Sequence, residues 1–406
     1  MQKFEKHSPV VVTEVTTKHE LRQFMQYPNR LYADNPNYIP SFYGDDLSDW
    51  TPGKNPAFDY CEARCWLARR DGEIVGRIGA ILSHKANDKF GTHRMRFSQV
   101  DFVDDSEVSA ALFGTVERWA REKGCDHVHG PLGFTDMDRE GMLVEGFDRR
   151  SLFFTNYNAP YYLEHLTRLG YRKDVDWIEY RITVPEPGGA EAERLHKLSE
   201  FILKRKHLHV ATVHHKSEYG PFVRQVFELV NAAYAPLYGV VELSDEQIER
   251  YANKFIPLVD PDFVCFVVDE QDQLVAFGVT ALDPSVALKH SDGRLFPFGW
   301  AGVLNDLHHS DTLIMLLTAV RPDLQTEGIN AVMMDHVCQS CNRHGVRFAE
   351  TGPMLELNDH ILAQWKRLEK EQHKRRRCFI KDLDHDVNAA NAAAAQTETP
   401  ETESAE

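Results

Sequence analysis

The stretches Cys65–Leu82, "CWLARRDGEIVGRIGAIL", and Cys265–Leu282, "CFVVDEQDQLVAFGVTAL", decide the fold, because each reads as strand, polar tight turn, strand, and the two lie far apart in one chain. Self-similarity at an offset of about 200 residues is to be sought before any fold is assigned, and here it continues outward. "MRFSQVDFVDDSEVSAALFGTVERWAREKG" from Met95 gives a strand and then an amphipathic helix ending near a glycine. "LIMLLTAVRPDLQTEGINAVMMDHVCQSCNRHG" from Leu313 gives the same pair. A further strand follows in each half ("CDHVHGPL", "VRFAETGPM"), then a helix around Ala159–Leu169 or Asn358–Lys370, then a closing strand ("WIEYRITV", "RRCFIKDL"). The predicted order is β-β-β-α-β-α-β, twice, an α/β (α+β) architecture with a mixed sheet flanked by helices.

A chain of 406 residues suits two domains. "VPEPGGAEAE", Val184–Glu193, has the composition of an exposed linker, which sets domains at 1–185 and 186–385. Residues 386–406 are poor in large apolar side chains and are expected to form a disordered acidic tail.

With 42% hydrophobic residues the chain has material for cores, and no apolar run approaches the ~18 residues that span a bilayer. The opening residues show no secretory signal, and the seven scattered cysteines read as reduced thiols, so the expectation is cytoplasmic. A formal net charge of −16 argues against a nucleic-acid partner.

The order of elements, together with "VRPDLQTEGINAVMM" after the strand that ends at Val320, resembles the GNAT acyltransferase superfamily, and the doubled arrangement resembles its tandem bacterial members. The block Gly130–Tyr171, "GPLGFTDMDREGMLVEGFD…YNAPYYLEHLTRLGY", is similar to that of tandem proteins that include bacterial ceramide synthases, which acylate a sphingoid-base amine from a thioester. The block departs from them at "TDMDREGM", where an Asn-Asp-containing loop is expected.

The resemblance implies an acyl-CoA-dependent or acetyl-CoA-dependent N-acyltransferase acting on a small-molecule or lipid amine. The alternative is a GNAT-fold binding protein without activity. It also implies a coenzyme pyrophosphate held on backbone N–H groups at a helix start, through a loop Q/R-x-x-G-x-G/A. Gln325, Gly328 and Asn330 take those positions, and the expected contact set is Val320, Gln325, Thr326, Glu327, Gly328, Ile329, Asn330 and Asn358. Asn330 brings a side chain where Gly or Ala is usual, and Glu327 brings negative charge. The equivalent first-half turn, with Asp101, Asp104, Asp105 and Glu107, reads as helix capping instead, so the first half is expected to be degenerate.

An N-acyltransferase needs a base to strip an ammonium. Glu145, flanked by apolar residues and glycine, is expected to be desolvated and is the first candidate; Glu350, at the end of a second-half strand, is the rival. Asp136, Asp138 and Glu140 read as solvent-facing turn residues. A calcium loop fails because Phe147 stands where the bidentate Glu belongs. For a proton donor to the leaving thiolate, the second half places Trp365 near the usual Tyr position, and the first half offers Tyr157, Tyr161 and Tyr162, which read equally as packing. Cys338 and Cys341 have no second ligand pair, and His308 and His309 read as a polar loop, so no metal is expected. "HKRRR", His373–Arg377, reads as a solvated helix end, or as a contact for coenzyme phosphates or an anionic membrane surface.

Overall fold

The computed structural model describes residues 8–383. The acidic tail expected at 386–406 lies outside them. Cys61–Arg70, Glu73–Ser83 and Arg94–Phe102 form an antiparallel meander, joined in parallel by His127–Gly130. Val264–Val268, Leu274–Leu282, Thr312–Val320 and Phe348–Glu350 repeat it in the second half.

The two meanders belong to one 14-stranded sheet, because the closing strands are exchanged. The first half's last strand, Arg172–Thr183, pairs with Phe348–Glu350 of the second half, with Ala349 opposite Ile182. The second half's last strand, Lys370–Asp382, pairs with His127–Gly130 of the first, with Phe379 opposite Gly130. The two closing strands also pair antiparallel with each other along most of their length. Their pairing with each other, from Lys370 opposite Ile182 to Ile380 opposite Arg172, explains why they run longer than "WIEYRITV" and "RRCFIKDL" predict, since each satisfies backbone groups of the other. It also shortens the helix expected at Asn358–Lys370 to Asp359–Gln364, since Lys370 is already in the strand.

Helices cover both faces. Ser106–Glu122 buries Val108, Leu112, Phe113 and Val116 on the first-half sheet, and Asn330–His344 buries Val332, Met333 and Cys341 on the second. On the opposite face of the second half lie Gly220–Tyr234 and Asp245–Phe255. The segment read as a linker leads at once into the helix Ala190–Lys206, whose Leu195 and Ile202 pack in the same core as Asn330–His344.

Candidate active site

Thr312–Val320 and Phe348–Glu350 are in register only at Thr312/Phe348, Leu313/Ala349 and Ile314/Glu350. The chain then turns away, and the Thr351 amide donates to the Tyr180 carbonyl at 2.9 Å. The splay opens a cleft of about 750 Å³ whose walls include Ile182, Met315, Leu317, Met333, Ala349 and Trp365. Trp365 is buried, with its indole N–H directed to the Met354 sulfur at 3.2 Å. A cleft lined mainly by apolar side chains suits an acyl chain or a pantetheine arm better than a polar ligand.

At one end of the cleft is the expected phosphate loop. Its strand ends at Val320, Pro322–Leu324 make a short turn, and Gly328 has a φ of 80°, a left-handed conformation that L side chains rarely adopt. The helix then starts at Asn330, and no side chain caps it. Gln325 steadies the loop by donating to the Val320 carbonyl at 3.3 Å, while Ile329 is buried and Asn330 lines the cleft. The charge of Glu327 is met by Lys206 at 2.7 Å, which holds its carboxyl below the usual range. Thr326 lies exposed between them. Asn358 is spent as a helix cap, accepting from the Ile361 amide at 3.3 Å.

The first-half counterpart is closed. Asp105 accepts from the Glu107 and Val108 amides, and Arg70 binds both Asp105 and Glu107, so this helix start already holds protein carboxylates.

Glu350 faces away from the apolar cleft, on the opposite side of the sheet from Ala349. There it meets Lys374 at 3.2 Å and His373 at 3.8 Å. Lys374 also lies 3.5 Å from Glu179, and Glu179 forms a short ion pair with Arg376, which in turn donates to the Asn156 carbonyl. Burial acts to raise the Glu179 carboxyl, but Arg376 and Lys374 outweigh it and hold it below its ordinary range. Burial, reinforced by Lys374, pushes the His373 imidazole down to about 4, so it is neutral near pH 7. The His373 Nε2, one Arg376 nitrogen and one Glu179 oxygen have no hydrogen-bond partner. Unsatisfied buried polar atoms gathered in one place ask for a functional explanation.

This cluster corrects the reading of "HKRRR". The run is no solvated helix end; it is the middle of the central strand, with His373, Lys374 and Arg376 buried and the half-buried Arg375 and Arg377 paired with Asp176. The sequence signal that was missed is Glu179 in "WIEYRITV", an acid directly after the apolar pair Trp177 and Ile178.

The expected burial of Glu145 is also corrected. Its side chain is 60% exposed at the end of the strand Met142–Glu145, 3.3 Å from Arg375. Tyr157 and Tyr161 stay within the first half: Asn35 donates to the Tyr157 hydroxyl at 2.6 Å, and Tyr161 donates to the Phe102 carbonyl. Tyr162 is fully buried and bonds the Tyr32 hydroxyl at 2.7 Å.

The acidic stretch is half-buried between the halves instead of standing in open solvent. Asp138 accepts from the Phe134 and Thr135 amides at 2.8 and 3.2 Å, and Tyr251 of the second half donates to it at 3.3 Å. Burial raises the Asp136 and Asp138 carboxyls to about 6 and Glu140 well above its usual value. The adjoining cleft, about 620 Å³, is lined by Phe42, Trp50, Phe153 and Phe154 together with Asp49 and Asp138. Phe154 reaches the splay, packing within 3.5 Å of where a Gly352 side chain would begin.

His308 and His309 lie in the last turn of the helix Gly299–His309, not in a loop, each with Nδ1 on the carbonyl four residues back. Cys338 and Cys341 are buried free thiols, pushed up by burial to about 11 and 12.

Two repeated units, the second with a parallel splay and an uncapped helix start, form a tandem GNAT fold. Solved structures with this fold include the tandem GNAT protein of the clavulanic acid biosynthesis pathway, which matches at a TM-score of 0.52 and 14% identity over 92% of this chain and 99% of that one. A GCN5-related N-acetyltransferase from Sphaerobacter thermophilus matches at a TM-score of 0.50 and 13% identity, over 92% and 96%. In sequence the chain is similar to Protein YghO of Escherichia coli strain K12, 27% identical over 379 residues, 92% of this chain and 95% of that protein. It is also similar to a bacterial ceramide synthase of Caulobacter vibrioides, 28% identical over 300 residues, 72% of this chain and 75% of that protein. No family model matches.

Proposed function

We propose that the chain is an acyl-CoA-dependent N-acyltransferase whose coenzyme site lies in the second half and whose acceptor is a lipid amine. The observation that carries this reading is the apolar cleft that runs from the uncapped helix start at Asn330 to the splay at Glu350. Gln325–Asn330 would hold the pyrophosphate on backbone N–H groups, and the cleft would take the pantetheine arm and acyl chain.

Glu350 would accept a proton from the acceptor ammonium on the opposite face. The freed amine nitrogen attacks the thioester carbonyl, an N–C bond forms, the C–S bond breaks, and the thiolate leaves to be protonated. The neutral imidazole of His373 beside Glu350 can pass the proton onward. The aromatic and acidic cleft around Phe42, Trp50 and Asp49 supports an acceptor that carries an ammonium on an apolar chain, and the similarity to a ceramide synthase supports the same class.

A ligand of the folded state raises the melting temperature by mass action. Thermal shifts are expected with long-chain acyl-CoAs, and N-acylated product with sphinganine. No shift with any thioester would sink the reading. A shift with no product from any amine would favour a non-catalytic binding protein, in line with Trp365 standing where a Tyr donor is usual.

A further inference from the structure

The segment between Val286 and Leu304 presents apolar side chains that the fold does not use. Phe296 and Phe298 are 81% and 80% exposed, and Val286, Trp300 and Leu304 are exposed beside them. Five of the ten exposed large apolar side chains among the described residues fall in this one segment, so the exposure is a patch and not the ordinary scatter of a protein surface. The segment is firmly seated from beneath. Leu288, Val303 and Leu307 are buried in a cluster with Ile39, Phe42, Leu152 and Phe153. The Gly293 carbonyl accepts from the Tyr43 amide at 3.0 Å. The aromatic tips therefore project from a fixed base.

Charge separates this segment from the rest of the protein. The whole chain carries −16, yet Lys289 and Arg294 balance Asp292 and Asp306 here. His290 and Arg294 line the same groove as Phe296 and Phe298. The one carboxylate in that groove, Asp306, is occupied by the Ala287 amide at 2.7 Å. Phe and Trp beside basic groups, on a surface of low local charge, are what partitions into the headgroup region of a bilayer.

We propose that this segment docks the protein on the surface of a phospholipid bilayer, with Phe296, Phe298 and Trp300 inserted at the headgroup level and Arg294 and His290 against lipid phosphates. No helix among the described residues is long and apolar enough to cross a membrane, so the contact is peripheral. The base of the patch shares Phe42 and Phe153 with the aromatic and acidic cleft, which gives a lipid a short apolar way to the site. The docking itself does not depend on catalysis.

The test is flotation with vesicles of phosphatidylcholine and phosphatidylglycerol, without acyl-CoA. Wild type is expected to float with the vesicles, and the double variant F296D/F298D to lose at least about tenfold in vesicle affinity. Both residues are largely solvated, so the variant should keep the wild-type melting temperature and show that the loss is local. The Trp300 contribution, read as wild type minus W300F, should shift to shorter wavelength on vesicle addition. Failure of wild type to float, or equal flotation of the double variant, would overturn the proposal. So would a wild-type dimer that the double variant abolishes while vesicles bind neither, because the patch would then serve a second copy of the chain.

Discussion

Glu179 and Arg376 form an ion pair across the seam of the two closing strands, each without exposed surface and each contributed by a different half of the chain. Removing one partner of a buried pair leaves an uncompensated charge, whereas replacing both with apolar residues is often neutral. Glu179→Ala, which strands Arg376 and weakens the hold on Lys374, should cost about 3–5 kcal/mol in urea denaturation. Glu179→Met combined with Arg376→Met should recover most of that loss. If the double variant is as unstable as the single, the pair is not what holds the seam.

We propose that the exchange of closing strands makes the two halves one folding unit. A fragment ending at residue 185 leaves His127–Gly130 without the strand that covers its edge, and the complementary fragment leaves Phe348–Glu350 bare. Neither fragment should show a cooperative melting transition alone, and mixing the two should restore one. A sharp transition in either fragment by itself would show that a half closes its own sheet.

The phosphate loop separates two charge effects. Gly328→Asp places a carboxylate in the cradle at a left-handed φ, with its first side-chain carbon 3.2 Å from Ile202, and should abolish coenzyme binding. Glu327→Gln leaves Lys206 free to meet a phosphate and should tighten binding several-fold at low salt, the gain fading as salt rises. Asp105→Ala, at the first-half turn, should leave affinity unchanged while costing about 1 kcal/mol as a lost helix cap. Calorimetry at two salt concentrations reads all three.

How far the sequence carried the fold is clear from the paired strands and from Asp105, whose capping role is local and so visible in a window of a few residues. The exchange of closing strands was not legible, because each of those strands pairs with segments distant in sequence that periodicity does not report. The basic run "HKRRR" misled for the same reason. Like-charged runs are normally solvated, and the carboxylates that permit burial, Glu179 and Glu350, lie elsewhere in the chain and reach it only through the sheet. Glu145 misled in the opposite sense: apolar neighbours along the chain suggested burial, but on a strand alternate residues face opposite ways, and its side chain points out.

The acidic stretch predicts a pH dependence whose sign differs from that of most paired carboxylates. Burial raises Asp136 from 3.8 to about 6, so the folded protein binds that proton more tightly than the unfolded chain does. Stability contributed by this group is therefore present at low pH and falls as pH rises between those two values. Asp136→Asn, which cannot ionise, should match wild type below pH ~4, become the more stable protein through the interval, and keep a constant advantage above pH ~6. Denaturant midpoints of both proteins across this range measure the difference. An advantage independent of pH would mean that the carboxyl is not desolvated.

The assignment of the base rests on the contrast between Glu350, beside the splay and the neutral His373, and Glu145, which is solvated and paired with Arg375. Glu350→Gln should keep coenzyme binding and slow turnover by roughly 10²–10⁴-fold, the usual contribution of a positioned base. The slowing should shrink as pH approaches the acceptor's own pKa, since an amine already deprotonated in solution needs no help. Loss of the Lys374 partner will also destabilise the variant, so the pH profile, and not the rate at one pH, is the deciding readout. Glu145→Gln gives up only a surface ion pair, worth about 0–1 kcal/mol, and should turn over as wild type at every pH. If Glu145→Gln shows the pH-dependent loss and Glu350→Gln does not, the proton leaves through the first half, and the splay beside Glu350 is not where the acceptor reacts.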